Sequence, residues 1–162
     1  MFLIAATTIL ALAGVEQDAM AFHRLAGTSW ALWSDKDAMT DRRSAEARLW
    51  SRDKAVQLSF RCDNAGERPR LVIAFLVPFD VGTSLSRVTL RFDNGKPDSS
   101  LWKAYESNVI GFYPTDLAKR FLAARTVTVR IDDRQFLHHD ATFDPAGGSR
   151  AVEDVIAACK AR

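Results

Sequence analysis

Two cysteines behind an apolar N-terminus constrain the fold of this 162-residue chain more than any other feature. Residues 2–15 are mostly apolar, and the Ala-Met-Ala of residues 19–21 follows as a small-residue cleavage site, a pattern typical of a secretory signal peptide. An exported chain enters an oxidising compartment, where a disulfide persists. We therefore predict a periplasmic or secreted protein with a disulfide between Cys62 and Cys159. Two buried thiols in a reducing cytosol are the alternative.

The predicted signal peptide covers residues 1–21, and residues 22–162 form one predicted globular domain. No Lys or Arg precedes the apolar run, although signal peptides usually begin with a positively charged region. An N-terminal strand or a buried helix is therefore the alternative interpretation of this segment. The run is shorter than the roughly 20 residues that a helix needs to cross a bilayer, so it predicts no transmembrane span.

The composition is that of an ordinary globular domain, because 48% of the residues are hydrophobic and 26% are charged. A chain of this length buries a single core efficiently. The formal net charge is +2, and removal of residues 1–21 takes it to +4, because Glu16 and Asp18 leave and no Lys or Arg does. Such a mildly basic balance permits an anionic partner without requiring one.

The densest group of basic residues lies between positions 42 and 54, where Glu46 and Asp53 interrupt it and Asp41 directly precedes it. Nucleic-acid-binding domains usually concentrate Lys and Arg more sharply and interleave them with aromatic residues. The mixed charges predict a solvated face. We therefore expect no nucleic-acid partner.

Strands dominate the apolar pattern. Apolar and polar residues alternate over residues 45–49, 56–60 and 88–92, as expected of strands with one wet face. Residues 71–79 are nearly all apolar, which predicts a central strand covered on both faces. Residues 96–100 are polar and are predicted to connect neighbouring elements. The strands are therefore expected to form an antiparallel, half-solvated sheet.

The apolar period changes to that of a helix in two places, at residues 115–122 and near the C-terminus. Val152, Val155, Ile156 and Cys159 occupy positions i, i+3, i+4 and i+7, so the last cysteine belongs to a core-facing stripe. We predict a mainly β (α+β) fold, an antiparallel β-sandwich-like domain with one short inserted helix and a C-terminal helix tied by the disulfide.

The sequence His138-His139-Asp140 is the one cluster that suggests a metal or a general base. Adjacent strand residues point to opposite faces, so the two histidines cannot easily reach one ion, and a catalytic zinc usually has three protein ligands. The chain has no G-x-S-x-G elbow and no phosphate-binding or dinucleotide-binding glycine motif. We therefore predict no metal, no cofactor and no catalytic residue.

Arg91, Asp93 and Trp102 are the predicted binding residues. Arg91 and Asp93 flank Phe92, so they share the outer face of the predicted strand and are placed to contact each other or a ligand. Trp102 lies in a polar stretch and offers a flat, amphipathic contact surface. The alternative is a structural ion pair and a tryptophan that covers the core, because exposed ion pairs and single aromatic residues are common.

Several spaced features follow one another along residues 28–160. They are Trp30, the polar segment 35–41, the Leu-Ser-Phe-Arg-Cys of residues 58–62, the apolar segment 71–77, the Arg-Phe-Asp-Asn-Gly of residues 91–95 with Trp102, the Ala-Thr-Phe-Asp of residues 141–144 and the segment 151–159. This order resembles the VasI-like, type VI secretion-associated family of small exported bacterial proteins, with its uncharacterised and prophage-borne relatives. The resemblance implies a periplasmic location, a disulfide between the two cysteines and an accessory, non-catalytic role, and it carries over no active site.

The first functional hypothesis is a periplasmic or secreted, non-catalytic binding module that engages a protein or a cell-envelope component. The second is an inhibitor or immunity-type protein directed against a wall-degrading or toxic enzyme, since a small, disulfide-closed, exported β domain suits that role as well. The third is a hydrolase that uses His138 or His139.

Overall fold

The computed structural model describes residues 21–64, 66–75, 81–82, 84–105, 108–112, 115–135 and 137–160. Within these ranges the chain forms ten strands and two helices. In chain order they are β1 (His23–Arg24), β2 (Trp30–Lys36), β3 (Arg43–Trp50), β4 (Val56–Cys62), β5 (Arg70–Phe75), β6 (Leu85–Phe92), β7 (Asp98–Tyr105), β8 (Asn108–Phe112), α1 (Thr115–Ala123), β9 (Val127–Asp132), β10 (His138–Phe143) and α2 (Ser149–Lys160).

All ten strands join one antiparallel sheet in the order β1-β2-β3-β4-β5-β8-β7-β6-β9-β10. The first five strands follow one another as a meander. β8 then pairs with β5, so the β6–β7–β8 meander enters the sheet in reverse order, and β9 and β10 extend the sheet beyond β6. The mainly β, antiparallel fold with an inserted helix and a C-terminal helix is therefore confirmed.

The predicted alternation fixes which side of each strand faces the core. The odd-numbered residues of 45–49 and the even-numbered residues of 56–60 are buried, and Ala47 pairs directly with Phe60. Because side chains of paired residues lie on the same face of a sheet, these two strands present one continuous apolar surface inward. A shift of one residue would turn that surface to solvent.

β5 lies between β4 and β8, so it is a central strand of the sheet, as predicted. Leu71, Val72 and Ile73 are all buried although they alternate between the two faces. The remaining residues of the predicted strand, 76–79, lie outside the described part of the chain. β5 is therefore a central strand, consistent with its continuous apolar sequence.

β7 differs from the sequence-based prediction, because the polar residues 96–100 were expected to connect elements and the structure places a strand from Asp98 onward. Ser100 pairs with Val88, and Ser99 pairs with Thr89, whose hydroxyl group lies 2.7 Å from the Ser99 hydroxyl oxygen. Pairing with the strongly β-forming sequence of β6 therefore outweighs the weak propensity of the serines.

The sheet curls so that its two halves face each other across the core. The backbone N–H of Arg52, in the turn after β3, donates to the carbonyl oxygen of Thr142 in β10 over 2.8 Å. The fully buried ring of Phe121 in α1 lies edge-on to Phe60 of β4 and Phe92 of β6, with centroids 5.6 and 6.1 Å away. Helix α1 therefore fills the space between strands that are distant in the sheet order.

Helix α2 packs on the inner face of β3 and β4. Its stripe of Ala151, Val152, Val155, Ala158 and Cys159 is buried. At the end of the stripe Cys159 is joined to Cys62 by a disulfide, with Cα atoms 5.4 Å apart and a sequence separation of 97. The predicted disulfide between the last helix and the end of a strand is thus confirmed.

The predicted signal peptide lies almost entirely in residues 1–20, outside the described part of the chain. Within the described part, neither helix has the length and apolar character required to span a membrane.

Candidate functional site

A gap opens inside the sheet where β7 and β8 separate. β6 pairs with β7 over residues 98–103, but β8 pairs with β7 only over residues 103–105. β8 instead continues beside β5 as far as Phe112. Within the described part of the chain, residues 98–102 therefore pair with a strand on one side only, and a cleft of about 530 Å³ lies on the other side. We call this space the β7 cleft.

Trp102 forms the floor of the β7 cleft. It is 7% exposed, its indole Nε1 donates to the Ser100 hydroxyl oxygen over 2.8 Å, and its ring lies over the backbone of Gly111. A Cβ atom at position 111 would lie 2.7 Å from the ring atom Cε3. Glycine is therefore required here for the close approach of the indole ring to β8.

Helix α1 forms one wall of the β7 cleft through Leu117 and Arg120. The guanidinium of Arg120 donates to the carboxylate of Asp98 over 3.2 Å and lies 4.4 Å from the centroid of the Phe92 ring. This contact ties α1 to the first residue of β7. The cleft therefore has the ring of Trp102 as an apolar floor, helix α1 as one wall and the ion pair between Arg120 and Asp98 at its end.

The outer face of the β6–β7 hairpin carries an exposed apolar surface next to the cleft. Leu85, Leu101 and Tyr105 are 60%, 62% and 39% exposed. Leu85 pairs with Lys103, so Leu101 and Tyr105 lie diagonally across from it, within reach of long side chains. The ammonium of Lys103 lies 4.7 Å above the Tyr105 ring. We call these three apolar residues the hairpin patch.

The outer face of the same hairpin is positively charged. Its outward positions alternate along β6 and β7 and hold Leu85, Arg87, Thr89, Arg91, Ser99, Leu101, Lys103 and Tyr105. No Asp or Glu occurs among these positions, and Arg87, Arg91 and Lys103 form no ion pair with a carboxylate in the described part of the chain. Arg87 and Lys103 therefore border the hairpin patch, Arg91 lies four positions beyond Arg87 along β6, and each of the three is available to a partner's acid.

The structure does not bring the three predicted binding residues together. Arg91 points outward, whereas Trp102 lies on the inner face of the sheet. Asp93 follows β6 in a left-handed conformation, with φ of 49°, and its Oδ1 accepts hydrogen bonds from the backbone N–H groups of Arg125 and Thr126, each 2.9 Å long. The Asp93 carboxylate is thus engaged in joining the β6–β7 turn to the start of β9.

Sequence reasoning included Trp102 and Arg91 but missed the two leucines of the hairpin patch. A signal was present, because Leu85 and Leu101 are apolar residues at positions where the alternation of β6 and β7 places polar side chains. An apolar residue on the wet face of a strand suggests a contact surface when a second one lies beside it. That neighbour relationship follows only from the register of the two strands.

The histidines lie in β10, the last strand of the sheet order and two strands from β6. His138 Nδ1 lies 2.8 Å from Asp132 Oδ1, and His139 Nε2 lies 3.4 Å from Asp133 Oδ2. The ring of His139 also lies edge-on to Phe75, 6.3 Å away. As expected from the alternation of a strand, the two histidines point to opposite faces. In the described residues no three metal-binding side chains gather into a potential ion site.

Arginine–carboxylate pairs fix the charges around β10. Arg130 donates two hydrogen bonds of 2.7 Å to Asp140, one strand away. These hydrogen bonds lower the pKa of Asp140 below its ordinary value, against the opposing effect of partial burial. Asp140, which shares a face with His138, therefore forms an ion pair with Arg130 that favours its ionised form.

The comparison with known proteins supports the fold alone. No protein-family model matches the chain, and no curated protein does. Among solved structures, the chain is similar to invasion associated protein B from Bartonella henselae, with a TM-score of 0.56 and 13% sequence identity. The similarity covers 85% of this chain and 96% of that one. The chain therefore shares its β architecture with a protein of very different sequence.

Proposed function

We propose that this protein is a non-catalytic binding module of the periplasm or the extracellular space, which engages another protein through the hairpin patch and the β7 cleft. The observation that carries the proposal is the position of its exposed apolar residues. Of the five large hydrophobic side chains exposed in the described part of the chain, Leu85, Leu101 and Tyr105 lie side by side. Exposed apolar residues that cluster and border a groove are typical of protein-interaction sites.

The disulfide supports an oxidising location. Cys62 and Cys159 are bonded and are 1% and 3% exposed. Structural disulfides of this kind persist in secreted and periplasmic proteins and are rare in the cytosol of mesophiles. Together with the apolar N-terminus, the bond favours export, and the VasI-like resemblance makes a type VI secretion apparatus a candidate system for the partner.

The two histidines favour a binding role over hydrolysis. His138 and His139 point to opposite faces of β10, and each contacts an aspartate six positions earlier in the chain. Neighbouring polar pairs of this kind stabilise an exposed hairpin.

An inhibitor or immunity-type protein would use the same hairpin patch, with a lytic or toxic enzyme as its partner.

The proposal is tested by site-specific photocrosslinking in the native host. A photoreactive amino acid replaces Leu85 in one variant and Leu101 in another, and Met39, which is 92% exposed in the turn after β2, carries it in the control. We expect positions 85 and 101 to form an adduct with the same protein, and position 39 to form none with it. Mass spectrometry of the adduct identifies the partner, and a lytic enzyme would establish the inhibitor alternative.

The proposal would be overturned by adducts that are equally strong at all three positions, or by none at positions 85 and 101. A second variant, Leu101→Asp, places a charge in the hairpin patch without touching the core, because Leu101 is 62% exposed. It should remove the adduct formed at position 85 while the unfolding transition stays unchanged.

A further inference from the structure

We infer that the partner supplies an extended segment that adds as a new strand to the open edge of β7, inside the β7 cleft, with apolar and acidic residues alternating along it. The inference rests on the proposed function and specifies how the partner binds. The relevant edge comprises residues 98–102, which pair with β6 on one side and with none of the described strands on the other.

The direction of the backbone groups follows from one hydrogen bond. The N–H of Ala104 donates to the carbonyl oxygen of Ser84 over 2.8 Å, so it points toward β6. Because the N–H and C=O groups of successive strand residues alternate in direction, those of Ser99, Leu101 and Lys103 point away from β6. Lys103 meets Ile110 of β8. Ser99 and Leu101 have no such partner among the residues that the structure describes, and their backbone groups face the cleft.

Unpaired backbone N–H and C=O groups at the edge of a strand are the feature with which another strand can pair. A row of free N–H and C=O groups pairs readily with an extended chain, and proteins use this mode to bind peptides, with backbone hydrogen bonds providing affinity and alternate side chains providing specificity. Here the open edge lies within the sheet and beside an apolar floor, so an added strand would be covered on one face by Trp102 and Leu117.

The two faces of the cleft determine the chemistry of the added strand. Its inward side chains would lie near Trp102 and Leu117, so they should be apolar. Its outward side chains would lie beside Leu101 and near the cations Arg87 and Lys103, on the outer face of the β6–β7 hairpin, whose outward positions hold no carboxylate. Acidic residues would complement that charge. An alternating apolar and acidic sequence therefore satisfies both faces.

The probe is a capped synthetic peptide of about ten residues in which valine and glutamate alternate, and the matched control replaces every glutamate with lysine. Binding is measured by fluorescence anisotropy and by amide hydrogen exchange on the full mature protein. We expect the glutamate peptide to bind at least about tenfold more tightly than the lysine peptide. We also expect it to slow exchange at the amides of Ser99 and Leu101, with little change at Ser100, which already faces β6.

A proline variant separates backbone pairing from side-chain contact. Leu101→Pro removes an N–H that faces the cleft and leaves the bonds to β6 in place, a position at which a strand tolerates proline. It should weaken peptide binding at least about tenfold, whereas Leu101→Ala, which keeps the N–H, should weaken it much less. Circular dichroism and a thiol assay verify that both variants fold.

The outcomes separate the inference from the proposed function. If Ser99 and Leu101 gain no protection, or if the lysine peptide binds as well as the glutamate peptide, strand addition is wrong even where positions 85 and 101 crosslink to a partner. If crosslinking fails as well, the proposed function fails with it. Because the exchange measurement uses the unmodified protein, a misfolded Leu101→Pro variant would not remove the test.

Discussion

The indole Nε1 of Trp30 donates a hydrogen bond to the carbonyl oxygen of Pro145, 2.9 Å away and 115 positions later in the chain. Trp30 is fully buried at the start of β2, and Pro145 precedes helix α2. The bond therefore satisfies the one polar atom of a core indole and fixes the loop through which α2 returns to the sheet. Gly148 lies against the same ring.

A substitution at Gly148 should disturb this junction. A Cβ atom there would lie 2.3 Å from Cε2 of Trp30, and the buried indole has no space into which to move. We expect Gly148→Ala to lower the free energy of unfolding by about 1–3 kcal/mol, as overpacking does. Urea unfolding monitored by tryptophan fluorescence measures this change.

The control for Gly148→Ala is Gly66→Ala, where an added Cβ meets no atom within 4 Å but φ is +88°. This variant should lose about 1 kcal/mol or slightly more through the left-handed conformation alone, with no change in tryptophan emission. Equal emission spectra for the two variants would contradict the proposed clash with Trp30.

Loss of the disulfide should cost a large part of the stability of the domain. The bond between Cys62 and Cys159 closes a loop of 97 positions, and on the chain-entropy model a loop of about 100 residues is worth about 4.7 kcal/mol. We expect the double substitution Cys62→Ala and Cys159→Ala to lower the urea midpoint strongly and to make the protein insensitive to reductant. A reductant-independent midpoint in the unmodified protein, with both thiols alkylated under native conditions, would contradict this interpretation.

Asp93 has two separable structural roles, and three substitutions distinguish them. Asp93→Asn keeps an oxygen for the N–H groups of Arg125 and Thr126 and tolerates the left-handed φ, so it should be close to neutral. Asp93→Gly loses the side-chain oxygen and keeps only the freedom to adopt a left-handed φ. Asp93→Ala loses the oxygen and that freedom, and its free energy of unfolding should fall by about 1–3 kcal/mol. Thermal unfolding should therefore rank the variants Asn, Gly, Ala from most to least stable. If Asp93 also binds a partner, Asp93→Asn should reduce crosslinking at position 101 without changing stability.

Those features of the fold that depend on local sequence were predictable. The alternation of residues 56–60 and the helical stripe ending at Cys159 follow directly from side-chain period, and both match the structure. The oxidising location implied by the N-terminus then predicted a disulfide between the two cysteines. None of these inferences required knowledge of which strand lies beside which.

The strand order and the cleft were not predictable, because they depend on pairing between residues that are distant in sequence. β8 is five residues long and β7 is eight, so the open edge exists only because β8 diverges toward β5. The polar residues at the start of β7 were wrongly predicted to connect neighbouring elements, because serines have weak strand propensity. Trp102 was foreseen as a possible contact residue, but its inward orientation over Gly111 depends on the register of β7 and β8.

The ion pair between Arg52 and Asp144 connects the turn after β3 to the end of β10, and it should make stability sensitive to acid. The side-chain hydrogen bonds from Arg52, at 2.6–3.1 Å, lower the pKa of Asp144 below its ordinary value, and the charge of Arg52 acts in the same direction against partial burial. A carboxyl group with a lowered pKa in the folded state stabilises the fold above its unfolded pKa. That contribution disappears as the pH falls through the folded pKa.

We therefore expect Asp144→Asn to destabilise the protein at neutral pH and to have little effect in strong acid, so that the two stability curves converge below about pH 4. The difference should be small, at most about 1 kcal/mol, because both side chains are about half exposed and screened by solvent. Arg52→Met should show the same convergence, and combining the two substitutions should add little, because each removes the same interaction. Urea unfolding at a series of pH values measures all three. A difference that stays constant from neutral to acid pH would show that the Asp144 side chain acts through packing and not through its charge.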